Sequence, residues 1–360
     1  MDRIAVKIGS NVLTRSDGSL DYTRISALVD QVCDLLGRGC EVILISSGAV
    51  ASGRDCLGSA TGRLDTVSQR QLYSAVGQVR LMHTYYELFK DRGYSCGQVL
   101  TTKENFSTRH HYLNQKNCME VMLSQGVIPI VNENDTISLT ELMFTDNDEL
   151  AGLVATMMDA RLLIILSNVD GVFTGDPSLP GSELVREIEP GSDSEAKFIA
   201  KTKSSQGRGG MHTKYAVARK LALEGIPVAI ACGKRDGILQ AVASGSDALP
   251  YTLFKAADKP MSGVKKWIAH SGGFARGSVT VNKGAADALL GGGAASLLPV
   301  GITAVDGEFE KDDIVRILAP DGKTIAMGKA NLDSKTLLAK MGQKNAKEFV
   351  HYDYLYIEKI

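Results

Sequence analysis

Short apolar runs rich in β-branched residues recur through the first two-thirds of the chain: RIAVKIG from Arg3, CEVILISSG from Cys40, SCGQVLTT from Ser95, VIPIVNEND from Val127, RLLIILSNVDG from Arg161 and IPVAIACG from Ile226. Their apolar positions do not alternate with polar ones, which predicts strands buried on both faces of a parallel sheet. Between them lie stretches with helical spacing, Tyr22 to Gly37, Thr66 to Arg92 and Lys214 to Gly225. Strands alternating with helices predict a three-layer αβα sandwich with a mainly parallel sheet. Ligands of such sheets sit beyond the carboxyl ends of the strands. The polar tails KIGSN, SSGA, NEND and SNVDG all fall at that edge.

The pattern breaks near residue 255. KAADKPMSG is polar and carries Gly and Pro, as boundary loops do. Beyond it, GSVTVNKG and DIVRILAPDGKTIAMGKA read as short strands, with small helices at Ala285 to Leu290 and Ser334 to Met341. A chain of 360 residues exceeds one comfortable core. We therefore expect a first domain over 1–257, a linker over 258–273 and a small β-rich domain over 274–356.

Composition narrows the function. A formal net charge of −1 gives no overall pull toward nucleic acid or acidic membranes. No apolar stretch reaches the roughly 18 residues of a membrane span, and the start, MDRIAVKIGS, has no signal-like apolar segment. The six cysteines form no CxxC pair and the six histidines no HxxxH pair, so no metal site is expected and a reducing, cytoplasmic setting is.

Four stretches carry candidate chemistry. Lys7 lies inside an apolar run, where an ammonium needs a partner. It is either an edge-strand lysine reaching water or a cation among phosphate oxygens beside the Gly9 and Ser10 amides. In SSGAVASG a strand ends at Ser46-Ser47-Gly48 and a helix begins. A serine there serves as an N-cap, or the amides hold a carboxylate. Two clusters, Asn132 to Asp135 and Asp146 to Glu149, flank a short insertion. Loops are often rich in Asn and Asp, and a calcium loop would need a spacing that is missing. Asp135 suits a substrate ammonium, and Asp148 suits the task of holding two lysines. Finally, QGRGGMHTK ends in Lys214, a lysine at a helix start, which is unfavourable against the helix dipole unless an anion is near. The spacing is not GxxxxGK followed by Ser or Thr. No pair of nucleophile and base stands out, and a carboxylate attacking a phosphoryl group needs none, being already an anion at pH 7.

Together VKIGSNVLT, ISSGAVASGR, VIPIVNENDTI, FTDNDELA, ILSNVDGVFTGDP and GRGGMHTKYAVA closely resemble the amino-acid kinase family, and within it the members that phosphorylate the γ-carboxylate of L-glutamate with ATP on the way to proline. KKWIAHSGG, GSVTVNKGAADALL, SLLPVGI and GKANLDS resemble the PUA domain that many of those members carry. The resemblance implies that Lys7 and Lys214 stabilise the transferring phosphoryl, with Asp148 orienting them. It implies that Ser47, Gly48, Asp135 and Asn147 hold glutamate. It gives ATP contacts to Lys7, Gly9, Ser167, Asn168 and the loop Arg208, Gly209, Gly210, Met211, His212, Thr213 and Lys214. Mg²⁺ would arrive with the nucleotide, L-proline would inhibit, and the protein would be a homo-oligomer, dimer or tetramer. Two departures stand out: Ser167-Asn168 where the family often has Thr-Asp, and Arg208 where many members have Thr. Another acceptor (aspartate, N-acetylglutamate, carbamate or a nucleotide) is the alternative within the family, although Asp135 would repel a phosphate. RNA binding by the second domain is the alternative outside it. Eleven basic against eleven acidic residues over 271–360 argue against RNA as a partner.

Overall fold

The computed structural model describes residues 2–58, 64–106, 109–138, 144, 146–192, 210–258, 265, 267–268, 275–291, 293–343 and 345–357. The chain divides into two compact units, one of Met1–Asn105 with Leu113–Pro260, the other of Phe106–Tyr112 with Met261–Ile360.

The first unit is built on strands β1 (Arg3–Ile8), β2 (Glu41–Ser46), β3 (Ser95–Thr101), β4 (Val127–Glu133), β5 (Leu162–Ser167), β6 (Glu187–Ile188), β7 (Val228–Cys232) and β8 (Tyr251–Phe254). They form one sheet in the order β3-β4-β2-β1-β5-β7-β8-β6, parallel except where β8 runs against β7. The helices are α1 (Ser10–Leu13), α2 (Tyr22–Gly37), α3 (Ala49–Leu57), α4 (Thr66–Lys90), α5 (Arg109–Ser124), α6 (Asn147–Met157), α7 (Met211–Leu223) and α8 (Ile238–Ser244). The expected mainly parallel αβα architecture is present.

The strand period decides what faces what. In β1, Ile4, Val6 and Ile8 enter a core shared with Ile25, Leu28 and Val32 of α2 and Leu81, Tyr85 and Phe89 of α4. Ala5 and Lys7 must then face the other side, where α6 packs against β1 and α7 against α6. Lys7 is in register with Ile45 of β2 and Ile165 of β5, so it stands in a central strand. The edge-strand reading of Lys7 is thereby corrected. The reverse holds for β3, read as buried on both faces: it is the sheet's edge, and several of its residues are exposed.

The second unit has a five-stranded sheet, β10-β9-β11-β12-β13, from β9 (Gly277–Val281), β10 (Ile302–Asp306), β11 (Ile314–Leu318), β12 (Thr324–Lys329) and β13 (Leu355–Ile357), with helices α9 (Lys283–Leu290) and α10 (Ser334–Lys340). Val279, Val281, Leu289, Ile317, Leu337 and Phe349 share its own core. Much of the stretch 258–273, expected as a linker, lies outside the described residues. Within it Trp267 and Ile268 are buried, and the Trp267 indole donates to the Phe106 carbonyl at 3.1 Å. That bond helps explain why residues 106–112 group with the second unit.

Candidate active site

Three charged side chains meet at the carboxyl end of β1. Asp148, the second residue of α6, is fully buried. Its Oδ1 lies 2.6 Å from the Lys7 Nζ, and its Oδ2 accepts a hydrogen bond of 2.9 Å from the Lys214 Nζ. Both lysines are buried too. Asp148 is aimed by its neighbour: Asp146 caps α6, its Oδ1 accepting from the Asp148 and Glu149 amides at 2.9 and 3.0 Å. Burial pushes the Asp148 carboxyl up, but the two ammonium groups outweigh it and hold it below the usual carboxylate range. The cluster carries one net positive charge, as a site for a developing anion requires. Lys214 is the fourth residue of α7, whose N-cap is Gly210. The helix thus starts three residues before the expected start. Asp148 offsets the unfavourable placing of Lys214 near a helix N-terminus.

Beside this cluster the end of β2 turns into α3. Gly48 is the N-cap at φ +106°, and a Cβ there would stand 3.4 Å from Leu13 Cδ1; glycine alone adopts that conformation freely. The serine-cap reading is corrected, since no side chain caps α3. Ser46 instead pairs with the Tyr85 hydroxyl at 2.9 Å. The Ser47 amide is already donated to Ile8 O at 3.1 Å, so the amides expected to hold a carboxylate begin at Gly48. Ser47 contributes its hydroxyl, which accepts from Asn147 Nδ2 at 2.9 Å. The same Nδ2 reaches Asn132 Oδ1 at 3.1 Å, and Asn132 Nδ2 donates to Gln78 Oε1 at 2.9 Å.

Asp135, in the turn after β4, is buried and paired with Arg70 of α4. The Ser74 hydroxyl donates to its Oδ2 at 3.4 Å. Arg70 also bridges to Glu133 at 3.1 Å. Helices α3 and α4 cross in backbone contact: a Cβ on Gly53 would lie 1.8 Å from Tyr73 O, and one on Gly77 1.8 Å from Ala49 O.

On the other side of β1, Ser167 ends β5 buried, and its carbonyl accepts from the Gly233 amide at 2.9 Å. Asn168 beside it is exposed. The Gly9 amide is donated to Leu166 O at 3.2 Å, so, contrary to expectation, it is not offered to an anion. Of the glycine loop, Arg208 and Gly209 lie outside the described residues. Gly210 caps α7, accepting from the Thr213 hydroxyl at 2.9 Å, and Met211 and His212 form its first turn with His212 exposed.

The fold therefore gathers Lys7, Ser47, Gly48, Asp135, Asn147, Asp148, Ser167 and Lys214 at the C-terminal edge of the sheet. Arg70, Gln78 and Glu133 escaped the sequence reading. Arg70, Ser74 and Gln78 recur every four residues, a polar stripe along one helix face, and that was the available signal. Among the described residues no cluster of His, Cys, Asp and Glu suits a metal ion, and no helix is long and apolar enough to cross a membrane.

The sequence pattern of the amino acid kinase family matches residues 2–232, and that of the PUA domain residues 277–352. Glutamate 5-kinase of Bacteroides thetaiotaomicron is 61% identical over 356 residues, covering 99% of this chain and 98% of that one. Glutamate 5-kinase of Chlorobaculum tepidum is 47% identical, covering 99% and 97%. A crystal structure of UMP kinase from Bacillus anthracis covers 71% of this chain and 96% of its own at 15% identity, with a TM-score of 0.49.

Proposed function

Because the chain belongs to the amino acid kinase family and ends in a PUA domain, we propose that it transfers the γ-phosphoryl group of ATP to the γ-carboxylate of L-glutamate, giving L-glutamyl 5-phosphate and ADP. The observation that carries the reading is the buried Lys7–Asp148–Lys214 cluster beside the Ser47–Asn147 pair. The relatives named above support the choice of glutamate.

A γ-carboxylate is ionised at neutral pH and attacks phosphorus without a general base. The barrier is repulsion between anions, and positioned cations lower it. In this reading Lys7 and Lys214 face the non-bridging oxygens of the transferring phosphoryl; the carboxylate oxygen bonds to the γ-phosphorus as its bond to the β,γ-bridging oxygen breaks, and that oxygen leaves with its electron pair on ADP. Asp148 keeps the ammonium groups aimed. Gly48 and the amides after it take the α-carboxylate, while Ser47 and Asn147 fix the substrate's orientation. Asp135 takes the α-ammonium, sharing it with or displacing Arg70. Ser167, Asn168 and the first turn of α7 contact the nucleotide. Both Asp148 oxygens are committed to lysines, so Mg²⁺ would be held chiefly by the phosphates it neutralises.

An ATP-dependent hydroxamate assay tests the acceptor, since hydroxylamine traps an acyl phosphate. L-Glutamate is expected to give hydroxamate, and aspartate and N-acetylglutamate to give at least tenfold less. Acetylation removes the cation that would join Arg70 at Asp135, so the acceptor loses a charge-assisted hydrogen bond there. Comparable rates with N-acetylglutamate would sink the assignment.

L-Proline, the pathway's end product in this reading, carries the same α-carboxylate and a cationic α-nitrogen but has no γ-carboxylate to phosphorylate. It should inhibit by competing for Gly48 and Asp135, each ligand weakening the other. Initial rates over a glutamate series at several proline concentrations should converge at high glutamate. Inhibition that glutamate does not relieve would contradict an overlapping site. The setting would be cytoplasmic, with all six cysteines free. The assembly in this reading would be a dimer or tetramer.

A further inference from the structure

Glu133 ends β4 and is 3% exposed. Its Oε1 accepts from the Phe144 amide at 3.0 Å, and its Oε2 from Arg70 Nη2 at 3.1 Å. That same nitrogen donates to Asp135. Two buried carboxylates thus lean on one guanidinium nitrogen. Among the described residues Glu149 on α6 adds a third anion near Glu133, itself 3.6 Å from Lys103. The β3 residue in register with Glu133 is the neutral Thr101. Close buried carboxylates in this balance keep a proton between them.

We propose that Glu133 is a proton-exchanging partner of the acceptor site, holding a proton while Arg70 alone serves the carboxylate pair and releasing it when the substrate's α-ammonium enters beside Asp135. Each carboxylate accepts one further bond, Glu133 from the Phe144 amide and Asp135 from the Ser74 hydroxyl, but Arg70 lies closer to Asp135 than to Glu133. The larger share of the proton therefore sits on Glu133, which burial, then Asp135, pushes up to about 7. An entering ammonium supplies the second cation, and both carboxylates can ionise. Binding is then linked to proton release, and affinity rises with pH until Glu133 is ionised in the empty protein. The inference rests on glutamate being the acceptor.

Calorimetric titration of the full chain with L-glutamate, in phosphate and in Tris, reads the proton directly. At pH 7 about half a proton should leave per glutamate bound, falling to about a tenth at pH 8. The dissociation constant should drop about tenfold between pH 6 and pH 8, because the empty site alone carries the titration. Glu133→Gln should bind glutamate with no buffer-dependent heat and with a flat affinity over the same range. Glutamate heat with no proton release in the wild type would overturn the proposal, and so would unchanged release in Glu133→Gln. The wild-type count decides even if the variant does not fold. Absence of any glutamate heat would instead overturn the acceptor reading on which it rests.

Discussion

Lys214→Met and Lys7→Met are each expected to lower kcat by about 10²–10³, the usual loss when one positioned stabiliser of transition-state charge is removed. Methionine keeps much of the stem volume and removes the ammonium. The geometry also predicts that these variants stay folded. The cluster of two lysines and one carboxylate carries a net positive charge, so removing either lysine leaves Asp148 with one buried partner and a neutral pair. A large loss in rate with little loss in stability is the signature of a cation kept for chemistry. Steady-state kinetics beside thermal melts would measure both. A variant keeping more than about a tenth of wild-type kcat would remove that lysine from the role assigned.

Asp148→Asn should behave in the opposite way. It leaves two buried ammonium groups facing each other with no anion between them, and breaking a buried ion pair from one side costs about 3–5 kcal/mol. A fall in Tm on the order of 10 °C follows for a unit of this size, together with loss of activity as the lysines lose their aim. The pH dependence has a definite sign. Burial raises the Asp148 carboxyl, but Lys7 and Lys214 lower it further, so its folded pKa lies below its unfolded one. Its contribution is present above the unfolded value of about 3.9 and disappears only as pH falls through the folded one. The stability gap between wild type and Asp148→Asn should therefore be constant from about pH 5 to 8 and close below about pH 4. The double variant Asp148→Asn with Lys214→Met, with one ammonium fewer, should lose less stability than Asp148→Asn alone. Equal losses would show that the lysines do not repel.

The sequence showed the six long strands of the first unit because their apolar runs and following helices have different periods. It did not show β6 and β8: β6 is two residues long, and β8 is four residues long and runs antiparallel to β7. In the second unit β10 and β13 escaped for a related reason, being short strands at the sheet's two edges. At the site, Lys7 was legible because an ammonium inside an apolar run demands an explanation, and Lys214 because it opposes a helix dipole. Arg70 was not, since a single arginine in a long helix reads as part of a solvated face. Its partners Glu133 and Asp135 lie 63 and 65 residues away, a pairing that periodicity does not report. Glu133 stood in a quoted cluster without a role of its own, because its burial comes from tertiary packing.

The crossing of α3 and α4 fixes the gauge of the proposed acceptor pocket. Gly48 opens α3, while Arg70 and Ser74 ride on α4, so the groups proposed for the substrate's α-carboxylate and those around Asp135 sit on helices locked at their backbones. With Gly53 and Gly77 each filling the space to within van der Waals contact of a carbonyl, nothing at this seam is adjustable by rotamer. One methyl group at either glycine would wedge the helices and change the separation of both sets of groups at once. Substitutions on α3 or α4 should therefore seldom change which acceptor fits the proposed pocket without also disturbing the packing of the two helices.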